Sequence, residues 1–242
     1  PLRAFNYFEN PLFFETDFLK FIPAGLFSIW KYLELLVFPH PLSFYYGYNQ
    51  VPIADWSYMK VWISLAFYTG IFILSLKLIR KKHILSFSVL FYLFALFPFS
   101  NLVVPAVGII GERFVYVASL GFCMALAFLI LKLFNIPFNP STSTSTSTFF
   151  FISTSAIILL LYSFKTITRN PNWKDHLTLY RHDIKHLDQS AKAHAIISNT
   201  IYPDLFKMSS GIQKDNLIKE CSFHYKKALE IYPDYIVSNN NL

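Results

Sequence analysis

The sequence has 242 residues, 54% of them hydrophobic, 19% aromatic and 14% charged, with a mean hydropathy of +0.41. That mix excludes an ordinary water-soluble domain, in which about 25% of residues are charged. The formal net charge of +7 does not point to nucleic acid, because its densest cluster, Arg80-Lys81-Lys82, sits between two apolar runs.

Charge is unevenly placed: residues 84–110 carry none, whereas 165–194 are dense in Lys, Arg, Asp and His, so the chain divides into an apolar and a polar part. Cys123 in an apolar run and Cys221 in the polar part are the only cysteines, which excludes a disulfide framework and a four-cysteine zinc site. The chain opens at Pro1 without a signal-peptide pattern and reads as a piece of a longer protein.

In chain order, Phe18–Phe38 is apolar but holds Lys31 and Glu34, three apart on one helical face and able to pair; it either spans or lies at the membrane interface. Four further runs approach the roughly 20 residues needed to cross hydrocarbon: Val61–Ile79, Ile84–Phe99, Phe114–Phe134 and Phe149–Phe164. The second is short unless Asn101–Ile110 extends it. Placing Arg80–Lys82 in the cytoplasm puts Pro39–Lys60, Leu102–Arg113 and the C-terminal part outside. The segment Asn135–Thr148, with two prolines and a Ser-Thr alternation, reads as a flexible connector.

From Thr166 onward the pattern is amphipathic. Cys221, Tyr225, Ala228 and Pro233 follow one another at four, three and five residues, the small-aromatic-Ala-Pro ladder of the second helix of a tetratricopeptide repeat, and Asn241-Leu242 fall where another repeat would start. Ala191–Asn199 reads as the first helix, with Tyr202–Gln213 an insertion longer than a normal inter-helix turn. The fold class is therefore all-α: a polytopic transmembrane helical bundle over 1–165, with four to five spans and a linker at 135–148, then an extracytoplasmic helical segment over 166–242 that begins a repeat array.

Two places could carry chemistry. The loop 39–56 gathers Tyr45, Tyr46, Tyr48, Asn49, Gln50, Asp55 and Trp56, either an interfacial aromatic belt or a platform for a sugar or lipid headgroup. Glu112 and Arg113, with Tyr116 a turn further, stand at the outer end of a span. Either they pair and snorkel, or Arg113 grips a phosphate while Glu112 fixes its guanidinium fork. His182 and His186 are four apart with His176 nearby, but the motif lacks a glutamate and a third ligand, so no metal site is assigned. No glycine-rich phosphate loop or nucleophile elbow occurs.

Pro98-Phe99-Ser100-Asn101, Gly111-Glu112-Arg113 with Tyr116, and Ser119-Leu120-Gly121-Phe122-Cys123 resemble the membrane core of the transmembrane and tetratricopeptide-repeat O-mannosyltransferases and their bacterial relatives, in the C-type glycosyltransferase superfamily. Asn10-Pro11, Pro41-Leu42-Ser43, Arg169-Asn170 with Trp173, and Ala191-Lys192 with His194 extend the resemblance along nearly the whole chain. It implies transfer of a sugar from a polyprenyl-phosphate carrier to an acceptor, with an acidic base in an outer loop upstream of Pro1 and often a divalent cation in the longer protein. It also implies location in a bacterial inner membrane or the endoplasmic reticulum, with the repeats periplasmic or lumenal and recruiting the acceptor or a partner protein. Tyr45 departs from the acidic residue of the animal members and suggests a bacterial branch. Without the upstream acid, the same features describe a non-catalytic membrane-anchored repeat scaffold.

Overall fold

The computed structural model describes residues 7, 9–106, 108–136, 145–235 and 238. Among them are eight α-helices and no strand: α1 (Phe18–Val37), α2 (Met59–Ile79), α3 (Ile84–Leu96), α4 (Tyr116–Leu133), α5 (Ser145–Arg169), α6 (His176–Asp183), α7 (Ala191–Lys207) and α8 (Ile212–Ile231). The all-α class holds.

Three stretches are long and apolar enough to cross a membrane: Met59–Ile79, Glu112–Leu133 and Thr146–Trp173, with mean hydropathies of 1.8, 2.4 and 1.8. The Ile84–Phe99 stretch is apolar but shorter, and Asn101–Ile110 does not lengthen it. Pro98 sits in a 3-10 turn over Phe97–Phe99. Asn101 then adopts a φ of 56° and Gly108 one of 72°. The chain doubles back, and Ile110 makes a single antiparallel bridge with Tyr46. Proline removes a helix donor and the left-handed residues reverse the chain, so the helix ends there.

α1 is the best-buried helix, with ten of its residues buried, and it packs against α2. Trp56 Nε1 donates to Leu19 O near one end of α1 (3.1 Å), and Lys60 pairs with Glu34 near the other (2.7 Å). Between them, Ser64 Oγ donates to Leu26 O (2.7 Å) and Tyr68 OH to Ile29 O (2.8 Å). α1, a helix of 20 residues, thus meets α2 from Lys60 as far as Phe67 and Tyr68, midway along it. The expected pair within α1 forms: Lys31 Nζ is 3.0 Å from Glu34.

The apolar core sits at this end, joining Leu26, Ile29 and Tyr32 of α1 to Val61, Tyr92, Leu96, Ile110 and Ala118. Further from it the helices meet through small residues. Ser86 Oγ donates to Ser75 O (2.7 Å) between α3 and α2, and a Cβ on Gly121 of α4 would lie 2.6 Å from Ser88 O of α3. Such close backbone approach is how helices associate where lipid removes the hydrophobic drive between them. The outer surface is correspondingly apolar, with Leu76, Phe87 and Phe94 exposed.

α5 begins at Ser145 and runs to Arg169, past both bounds of the Phe149–Phe164 run. Residues 145–148 of the expected connector are therefore helical, while its 137–144 part lies outside the described residues. Ser and Thr tolerate a helix when their hydroxyls turn back onto the carbonyl four residues earlier, as Thr168 does onto Phe164 later in α5 (2.9 Å).

The tail follows as α6, α7 and α8. Ala191, at the start of α7, packs with Ala228, near the end of α8. Ile201, further along α7, packs with Cys221 and Tyr225; the two helices are thus antiparallel. α7 continues through Pro203 to Lys207, so the expected insertion at Tyr202–Gln213 is mostly helix and only Met208–Gly211 connects the pair. Met208 leaves α7 in an extended conformation. Asn241-Leu242, expected at the start of another repeat, lie outside the described residues.

Candidate functional site

The loop 39–56, the 101–113 segment and the tail meet at one end of the bundle, around two carboxylates. Ser43 N–H is shared between Glu112 Oε1 and the Tyr46 hydroxyl, each 2.9 Å away. That hydroxyl donates to Glu112 Oε1 at 2.6 Å. Burial, reinforced by the Glu112 charge, raises the Tyr46 hydroxyl far above the ordinary tyrosine value, so it remains a donor.

The next backbone N–H, of Phe44, donates to Asp183 Oδ2 at the end of α6 (2.8 Å). Asp183 is fully buried. It receives both arms of the Arg169 guanidinium, one at 2.7 Å and the other closer still, and lies 2.8 Å from His182 Nδ1. Burial raises the Asp183 carboxyl, but the bonds from Arg169 and His182 outweigh it and hold the group below the usual aspartate value. Arg169 also lies over Trp173 at 5.8 Å. Adjacent residues of one loop thus hold one carboxylate from the membrane part and one from the tail.

Arg113 is elsewhere. It is exposed and lies 5.0 Å over the Phe114 ring, which stacks on Phe99 at 4.6 Å. It makes no ion pair among the described residues. The expectation that Glu112 pairs with it or fixes its fork is corrected: Glu112 turns toward Tyr46 and Ser43. Tyr116 is 80% exposed on the following turn.

The loop residues separate. Tyr46 faces Glu112, whereas Tyr45 OH donates to Glu9 O (3.2 Å) and its ring sits beneath Lys192 Nζ (4.8 Å). Lys192 pairs with the buried Glu9 at 2.6 Å. Asn49 is exposed with a φ of 67°, a turn former. Asp55 is exposed and accepts from Ser57 N (2.9 Å), again in a turn.

The repeat-ladder residues face the partner helix. Cys221 and Ser198 bond each other's carbonyls (3.6 and 2.8 Å), Tyr225 OH donates to Asn199 Oδ1 (2.8 Å), and Ala228 is fully buried. Pro233 follows the end of α8 at Ile231. His182 and His186 do not converge: the first meets Asp183, and the second faces His40 at 5.9 Å. No group of three or more His, Cys, Asp or Glu side chains that could hold a metal occurs among the described residues.

The motif residues do converge. Asn10 Nδ2 donates to Asn101 Oδ1 (3.1 Å) and Ala106 O (2.8 Å), and Asn101 Nδ2 to Ile109 O (2.7 Å), both asparagines being fully buried. Sequence reasoning missed Asp183, which carries no local signal; only the fold brings it to Arg169.

These features define an all-helical membrane protein whose polar helical tail is fastened to one end of its apolar bundle. The chain is similar along its whole length to Protein O-mannosyl-transferase TMTC1 of Mus musculus, 26% identical over 252 residues that cover 100% of this chain and 24% of that protein. It is likewise similar to TMTC1 of Homo sapiens, 26% identical over 93% of this chain and 24% of that protein, and to Protein O-mannosyl-transferase F38B6.6 of Caenorhabditis elegans, 26% identical over 96% and 30%. The chain thus spans 24–30% of these relatives' lengths. No family profile matches it, and no solved structure does. The resemblance read from the motifs is a similarity to TMTC-type protein O-mannosyl-transferases.

Proposed function

We propose that the chain is part of a membrane glycosyltransferase-like protein that takes a sugar from a polyprenyl-phosphate carrier, with a helical-repeat tail that recruits the protein acceptor. The observation that carries this is the whole-length similarity to protein O-mannosyl-transferases. Within the chain, Arg113 is the group suited to the carrier phosphate. It is exposed at the start of an apolar helix, without an acidic partner among the described residues, and a guanidinium matches phosphate oxygens in two-pronged geometry. Exposed Tyr116 continues that face. Glu112, held by Tyr46 and Ser43, shapes the loop end rather than the phosphate contact. The acid that would serve as base, and the ligands of a divalent cation, belong on this reading to the longer protein.

The acceptor role of the tail is supported by the inward placing of Cys221, Tyr225 and Ala228, which leaves the outer faces of α7 and α8 for a partner. The test is binding of a polyprenyl phosphate to the full-length protein. Arg113→Ala is expected to weaken it by about tenfold, the worth of one charge-assisted contact, with Arg113→Lys intermediate. Unchanged binding in Arg113→Ala would remove the basis for assigning the carrier to this chain.

A further inference from the structure

The end of the bundle away from the loops carries a second, unassigned feature. A groove of about 600 Å³ runs between the end of α2 and one face of α3, lined by Ile79, Lys82, His83, Phe87, Leu90 and Phe94. His83, Phe87, Leu90 and Phe94 recur at four, three and four residues, one face of a helix. Phe87 is 56% and Phe94 84% exposed along it. Lys82, turned by a φ of 50°, lines it, and Arg80 and Lys81 precede it in the same turn, all three being exposed.

None of these cations makes an ion pair among the described residues. The sequence explains why: no Asp or Glu occurs at 56–111 or at 113–174. Lys132, four residues beyond the Phe128 ring that meets His83 at 4.9 Å, adds another positive charge at this end. Glu34 of α1, which pairs with Lys60, and Glu112 lie at the loop end. The apolar groove therefore leads into a positive cluster that the protein itself does not neutralise.

We infer that this groove binds an anionic phospholipid, its headgroup phosphate on Lys82 within the field of the adjoining Arg80 and Lys81, and one acyl chain along Phe87, Leu90 and Phe94. Each basic residue near an anionic lipid surface adds an increment of attraction, and a chain against the α3 face covers rings that otherwise stand out from the bundle. The site is independent of the carrier-phosphate reading, which concerns the opposite end.

The test uses the purified chain in nonionic detergent, titrated separately with phosphatidylglycerol and phosphatidylcholine, with retained lipid counted by native mass spectrometry. Phosphatidylglycerol is expected to be retained about tenfold better, and R80Q/K81Q/K82Q to abolish that preference. Phe94→Trp, at a side chain that contributes little to packing, and Leu90→Trp fill the groove, leave the cations in place, and are expected to lower phosphatidylglycerol retention too. Equal retention of the two lipids by the parent chain overturns the inference. So does parental phosphatidylglycerol retention in both tryptophan variants, which would mean attraction to a charged surface with no groove involved.

Discussion

Glu112 and Arg113 show how far one residue pair can be read from sequence. Their placing at the end of a span was legible, because charges next to hydrocarbon stand out. Their partners were not. Neighbours one residue apart on a helical turn point in different directions and do not face each other. Glu112 therefore meets Tyr46 and Ser43, while Arg113 lies over Phe114. Asp183 was illegible for a related reason: its partners, Arg169 and Phe44, lie 14 and 139 residues away in the chain. The buried Arg169–Asp183 pair has a consequence that mutation exposes. Asp183→Asn leaves a guanidinium, 10% exposed in its side chain, without its counter-ion, at a cost of about 3–5 kcal/mol. The tail should then release from the bundle, and trypsin should cut faster at Lys174 and Lys185; parental cleavage rates would refute the clamp. The depressed Asp183 carboxyl fixes the pH dependence: its contribution is present above the unfolded value of about 4 and is lost as pH falls through the lower folded value.

Among the elements, hydropathy located α2 and α4 to within a few residues, because a long apolar run has few alternatives to a helix. It could not show that α1 packs on α2, since that is decided by contacts such as Ser64 to Leu26, and it misread α7 because Pro203 and its polar neighbours imitate a loop. Two glycines separate packing from composition. A Cβ at Gly121 would meet backbone Ser88 O at 2.6 Å and Tyr92 N at 2.8 Å, whereas at Gly70 nothing lies within 4 Å. Gly121→Ala should therefore push α3 from α4 and lower stability by about 1–3 kcal/mol, and Gly70→Ala should lower it not at all. Thermal unfolding of both in one detergent makes the comparison, and equal melting would disprove the close contact. In the tail, His194 Nδ1 and His224 Nδ1 are 2.7 Å apart, and His194 Nε2 lies 3.0 Å from Asp188 O. A carbonyl only accepts, so His194 donates through Nε2 and, when neutral, accepts at Nδ1 from His224. Burial lowers His194, and burial with the neighbouring His194 pushes His224 down to about 4. The unfolded chain takes up protons below about pH 6.5 that the folded pair refuses. The α7–α8 pair should thus be fully stable above that pH and weaken steadily as pH falls toward about 4. His224→Phe should flatten this slope in melts followed by circular dichroism, and an unaltered slope would assign it to other groups.

At the scale of the whole molecule, charge asymmetry and loop placement make the same division. Arg80, Lys81 and Lys82 close the α2–α3 turn, while the loop 39–56 and the tail share the opposite end, where Asp183 accepts from Phe44. With α2 apolar over 21 residues, the two ends are about 30 Å apart, the thickness of a hydrocarbon core. Short basic loops stay in the cytoplasm because moving their charges across is costly. The tail would then sit outside, on the face where a lipid-linked sugar donor meets a secreted acceptor in the proposed function. Single thiols test this, once Cys123 and Cys221 are changed to serine: a membrane-impermeant maleimide added to intact cells should label Gln189→Cys and leave Lys82→Cys unlabelled until the membrane is opened. Labelling of Lys82→Cys alone would invert the orientation and place the tail with the cytoplasmic machinery. Labelling of both from outside would mean that α2 does not cross the membrane.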